Sequence, residues 1–108
     1  MDDIRERRAG ENENLFRRVN ERVEELSRGL DELSLVCECA RADCVERLSA
    51  VSIPEYEEVR RHPQRFFVAA GHERPNVEAV VEERNGYLVV EKRGAAGEAA
   101  RDGDPRSA

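Results

Sequence analysis

The chain has no Trp, three Phe and two Tyr in 108 residues, so aromatic burial is expected to add little to its core. Long apolar runs are missing too. No window approaches the roughly 18 apolar residues of a membrane-spanning helix, so a membrane is not an expected partner. The opening MDDIRERRAGENEN lacks the apolar stretch of an export signal, and a cytoplasmic location is expected. Positive charge is in deficit: 18 Lys and Arg face 24 Asp and Glu, for a net charge of −6. Affinity for polyanions comes largely from Lys and Arg neutralising phosphates, so nucleic acid is not an expected partner either. One basic cluster, Arg60, Arg61, His62 and Arg65 beside Phe66 and Phe67, offers phosphate and stacking contacts, but such a run usually forms a solvated helix face. There is no Gly-rich phosphate loop, no Ser-centred elbow and no H-E-x-x-H, which argues against an enzyme.

At this length the chain holds one modest core, and a small domain commonly relies on a metal, a disulfide or a partner chain for stability. Residues 1–10 are charged and without pattern, which reads as a flexible leader. Residues 11–33 read as an amphipathic helix: Phe16, Val19, Val23, Leu26, Leu30 and Leu33 are spaced 3, 4, 3, 4, 3, with Gly29 a signal for ending it a turn early. This stripe packs on the chain's own body or forms a seam with a protein partner or a second copy in a homodimer, through Phe16, Val19, Val23 and Leu26. Residues 34–93 read as a small α+β body. Ser34 to Glu38 and Val45 to Val51 are strands of a hairpin whose connection carries the cysteines. Ser52 and Glu55 make a capping box with Pro54 in the first turn, Tyr56 and Val59 give the buried face, and Pro63 ends that short helix. RFFVAA is a third strand. Asn85-Gly86 between VEAVVEER and YLVVEK signals a second hairpin with a type I′ turn. Residues 94–108, rich in Gly and Ala, read as a disordered tail. The expected fold is α+β: an N-terminal amphipathic helix and a small antiparallel sheet of two hairpins with a short helix between them, stapled by zinc.

All three cysteines lie in CECARADC. Thiols in a reducing compartment are more often metal-binding or catalytic than disulfide-bonded, and an odd number points the same way. In an extended chain residues i and i+2 face the same side, so Cys37 and Cys39 can present two sulfurs to one point, and the turn between returns Cys44. Three converging thiolates repel one another unless a cation sits among them, and zinc takes four ligands. The fourth is His72, His62, Asp43 or water. His72 is preferred because it follows a strand and Gly71, which permits close approach, whereas His62 suits the C-terminal end of a helix dipole. The expected site is therefore one structural zinc on Cys37, Cys39, Cys44 and His72. Iron or an iron–sulfur cluster is the competing occupant.

The runs ENENLFRRVNERVEEL, CECARADCVERL, EYEEVRRHPQRFFVAAGHE and YLVVEK resemble a group of small bacterial proteins that share the C-x-C-x4-C turn and a later Gly-His. The resemblance implies that the four residues act as a unit and carries no activity with it. Bacterial anti-sigma factors with a zinc-binding H-x3-C-x2-C motif are similar in spirit, but ligand order and spacing differ here. The functional expectation is a small zinc-binding protein-interaction or regulatory module. The alternatives are a redox or metal sensor and a small metalloenzyme.

Overall fold

The computed structural model describes residues 2–39, 41 and 43–106, with side chains from residue 11 onward. Three helices surround two small antiparallel sheets, an α+β architecture as expected. Helix α1 (Asp2–Leu26) leads into the hairpin β1 (Glu32–Val36) and β2 (Arg47–Ser52), then α2 (Ile53–Arg60). Strands β3 (Arg65–Val68), β4 (Glu78–Arg84) and β5 (Tyr87–Lys92) follow, and α3 (Gly94–Asp102) closes the order. The hairpins β1–β2 and β4–β5 lie in separate sheets, the second ordered β3-β5-β4. No helix among the described residues is long and apolar enough to cross a membrane.

Strands β3 and β5 are buried on both faces, which is why RFFV and YLVV are continuous apolar runs rather than alternating ones. Phe67, Tyr87 and Val89 join Leu33, Leu35, Leu48, Val51, Tyr56 and Val59 in one cluster. Phe66, Val68, Leu88 and Val90 join Cys37, Cys39 and Ala100 in another. Aromatics are few, yet Tyr56, Phe66, Phe67 and Tyr87 are all buried, with Tyr56 stacked on Phe67 at 5.5 Å. The expectation that they add little to the core is corrected.

The second helix starts as its sequence signals. Ser52 is extended and its Oγ accepts from Glu55 N at 3.3 Å, with Pro54 in the first turn. The 85–86 turn differs from expectation. Among the described residues Ala50 alone takes a positive φ without being glycine, so of the two central residues only Gly86 (φ 98°) is left-handed and the turn is not type I′. Strand β4 instead carries a bulge between Val80 and Glu82, which increases local twist.

The first helix does not bury most of its apolar stripe on the chain's own body, the first of the two expected arrangements. It begins at Asp2, within the expected leader, and ends at Leu26; Gly29 (φ 94°) follows, and Leu33 belongs to β1. Its buried face is Glu13, Asn14, Arg17 and Asn20, while Leu15, Val19 and Leu26 are 49%, 40% and 72% exposed. Phe16 is half-buried, and of the stripe residues that lie on α1 Val23 packs against the core cluster. The polar face is inside because most of its groups meet partners there, Arg17 Nε being the buried donor left without one among the described residues. Lys92 Nζ lies between the carboxylates of Glu13 and Glu78, all three buried. The Arg17 guanidinium stands 4.7 Å over the Phe66 ring and donates to Pro63 O at 2.6 Å and Ala100 O at 2.7 Å.

Of the stretch expected to be a disordered tail, residues 94–102 form α3 against α1 and β5, and residues 107–108 lie outside the described residues. Ala96, Gly97 and Ala100 give it a face small enough to lie close to the sheet: a Cβ on Gly97 would stand 2.9 Å from Lys92 O. Asn14 Nδ2 donates to Ala99 O at 2.9 Å, so Asn14 and Arg17 together satisfy carbonyls in the last turn of α3.

Candidate metal centre

Beyond Val36 the chain does not turn away but runs beside β3. Glu38 N donates to Phe67 O at 2.8 Å, and Phe67 N donates back to Glu38 Oε1 at 2.8 Å. Cys37 N still donates to Glu46 O at 3.1 Å, so the segment is held from both sides. In this extended stretch Cys37 and Cys39 enter one apolar cluster, with Phe66 and Val68, and Glu38 points the other way. Cys44 returns through a turn closed by its N–H donating to Arg41 O at 3.1 Å. His72 comes from the turn after β3, where His72 N donates to Ala69 O at 3.0 Å and Gly71 takes φ 88°.

These four residues converge. One donor atom from each of Cys37, Cys39, Cys44 and His72 lies within 4.8 Å of the others, an arrangement that could bind a metal ion. His72 Nδ1 stands 3.6 Å from Cys37 Sγ and 3.5 Å from Cys44 Sγ. All three cysteines are free; Cys37 and Cys39 are buried and Cys44 is half-buried. Ala69 N donates to Cys37 Sγ at 3.2 Å, which suits a sulfur carrying negative charge. Burial pushes the Cys37 thiol up to about 12 against the pull of the Ala69 and Cys39 backbone N–H groups, and burial raises Cys39 as well. Without a cation these sulfurs hold their protons at neutral pH. A metal ion reverses that balance, because a coordinating thiol deprotonates.

The other sequence candidates lie elsewhere. His62 sits just past α2 with Nε2 4.0 Å from Glu58, and Asp43 is exposed and outside the cluster. Sequence reasoning missed the residues that hold the cysteine segment. The buried Glu38 carboxylate pairs with Arg60, which is itself buried, and accepts from Asn20 Nδ2 at 2.7 Å. The Arg60 guanidinium lies 4.9 Å from the Tyr56 ring centroid and 5.1 Å from that of Phe67, and its Nε donates to Tyr56 OH at 3.1 Å. On the far side Arg74 Nη2 donates to Cys39 O at 3.1 Å. A charged residue alternating with two cysteines in an extended run is the one local sign that Glu38 faces inward.

Comparison with protein-family models, with curated proteins and with solved structures finds no match for the chain.

Proposed function

We propose that the protein is a small intracellular zinc-binding module in which one zinc ion, held by Cys37, Cys39, Cys44 and His72, is structural and the body serves protein interaction or regulation. The observation that carries this reading is the convergence of three sulfurs and one imidazole nitrogen from three separated positions. A tetrahedral zinc with bonds of about 2.3 Å to sulfur and about 2.05 Å to nitrogen sets nitrogen and sulfur about 3.6 Å apart. The separations of 3.6 and 3.5 Å at His72 agree with that spacing. Four protein donors leave no coordination position for water, which favours a structural over a catalytic ion. The interaction role draws on the apolar residues left outside on α1, Leu15, Val19 and Leu26, with Leu30 just beyond it.

The test is metal analysis of the purified protein with three variants. Cys39→Ser and His72→Ala are expected to lose stoichiometric zinc and to melt at lower temperature, while His62→Ala keeps both. A metal-free wild type, or zinc lost only from His62→Ala, refutes the assignment. A yellow-brown, iron-containing protein moves the cysteines to redox sensing, since thiolate-to-iron charge transfer is coloured and zinc is not.

A further inference from the structure

The cysteine segment is held from behind by α1, and the contact is unusually specific for a helix lying beside an extended chain. The Asn20 side-chain amide pairs with the Val36 backbone as a neighbouring strand would: Nδ2 donates to Val36 O at 2.8 Å and Val36 N donates to Oδ1 at 2.9 Å. Val36 immediately precedes Cys37. The same Nδ2 donates to Glu38 Oε2 at 2.7 Å, and Glu38 lies between Cys37 and Cys39. Asn20 is fully buried, and so is Glu38, whose other partners are Arg60 and Phe67 N. Two residues thus fix both flanks of Cys37 and the near flank of Cys39 without touching the sulfurs. A second connection reaches α1 from the opposite side of the site. Arg74, two residues past His72, donates through Nη2 to Cys39 O, its backbone N donates to Glu78 Oε2 at 2.8 Å, and Glu78 pairs with Lys92, which pairs with Glu13. Among the described residues of α1, Val23 packs on the core cluster, and the polar contacts above are joined by those of Asn14, Arg17, Glu21 and Glu24.

We propose that Asn20 and Glu38 are positioning residues of the metal centre, so that metal binding and the docking of α1 are thermodynamically coupled. The proposal rests on the zinc reading above. The physical argument is that zinc needs its sulfurs fixed to within a few tenths of an ångström, and groups that orient ligands from behind typically change metal affinity about 10- to 100-fold when removed. The backbone at residues 36–39 is held by Asn20 at Val36, Glu46 O at Cys37, Phe67 O at Glu38 and Arg74 at Cys39, so releasing Asn20 frees one of four clamps. Coupling is reciprocal: if docked α1 tightens zinc binding by some factor, bound zinc stabilises the docking of α1 by the same factor.

The experiment has two arms, both on the full chain. In the first, zinc affinity is measured by competition with a chromophoric chelator for wild type, Asn20→Ala and Val51→Ala. Val51 is fully buried in the cluster away from the cysteines, so Val51→Ala lowers overall stability without entering the clamp. Asn20→Ala is expected to weaken zinc binding about 10- to 100-fold, whereas Val51→Ala leaves it unchanged. In the second, amide hydrogen exchange of the wild type is compared with and without zinc, which needs no variant to fold. Exchange across residues 13–24 is expected to rise on zinc removal by at least the factor found for Asn20→Ala, since that variant removes only one of the docking contacts, while β3 and β5 stay protected. Zinc binding by Asn20→Ala equal to wild type, α1 exchange indifferent to zinc, or a uniform rise over all elements overturns the coupling and leaves the zinc assignment standing. A wild type that takes up no zinc overturns both.

Discussion

Glu13→Gln is expected to stabilise the protein at neutral and alkaline pH and to do nothing at acid pH. Glu13, Lys92 and Glu78 are each almost wholly buried, and one ammonium serves two carboxylates. Burial is the dominant influence on Glu13 and outweighs Lys92, so its carboxyl is raised from 4.5 to about 7, with Glu78 adding to the rise. Below pH 4.5 the folded and unfolded chains both hold this proton. As pH rises the unfolded chain releases it first, and stability falls until the folded carboxyl also ionises near 7. The interval from 4.5 to about 7, at about 1.4 kcal/mol per pH unit, corresponds to about 3 kcal/mol. Glutamine mimics the protonated acid and leaves Lys92 paired with Glu78. The stability of Glu13→Gln minus that of wild type should therefore grow from near zero at pH 4.5 to about 3 kcal/mol at pH 8. Urea denaturation of both proteins across this range, under identical metal conditions, reads the difference, and any contribution of a bound metal common to both cancels. A flat difference refutes the reasoning. So does a wild type that gains on the variant as pH rises, because that would make Glu13 an anion stabilised by Lys92.

Arg60→Met leaves the Glu38 carboxylate buried without its cation and should cost about 3–5 kcal/mol in urea denaturation; a loss under about 1 kcal/mol would show that Asn20 and Phe67 N suffice for that charge. Gly97→Ala forces a methyl against Lys92 O, which is backbone, and Gln64 Nε2, at 2.9 and 2.7 Å. It should lower stability by about 1–3 kcal/mol despite the better helix propensity of alanine. Val23→Asp, which buries a charge against the core cluster, should destabilise the monomer by a few kcal/mol, whereas the exposed Leu26→Asp should leave monomer stability within about 0.5 kcal/mol. Light scattering on the Leu26 variant then reads self-association alone: a wild type that is monomeric at every concentration excludes a homodimer through this face.

The cysteine cluster was legible because its logic is local: C-x-C puts two sulfurs on one side of an extended chain whatever that chain later packs against, and the turn to Cys44 is four residues long. His72 comes from a turn beyond α2 and β3. Gly-His after a strand made it a candidate, but its approach to the sulfurs depends on β3 lying beside residues 37–39, which no spacing reveals. The inward face of the first helix was hidden for a related reason. Phe16, Val19 and Leu26 do recur at helical spacing, and so do Glu13, Arg17, Asn20 and Glu24 at i, i+4, i+7 and i+11, a second face written in polar residues. Hydrophobic period alone selects the first face. The second is inside because its partners are Lys92, Ala100, Val36 and Arg106, all but one more than 60 residues away in the chain. The same distance hid α3, whose glycines and alanines look like an unstructured tail until β5 and the α1 side chains Asn14 and Arg17 supply what it packs on and caps with. A helix that hides its polar side and shows its apolar side has its docking set by hydrogen bonds and ion pairs rather than by area. Such contacts are directional, and two of their routes end at the backbone that carries Cys37 and Cys39, at Val36 and at Cys39 O. Alignment of those sulfurs is therefore a property of the whole domain, although the motif that announces it is eight residues long.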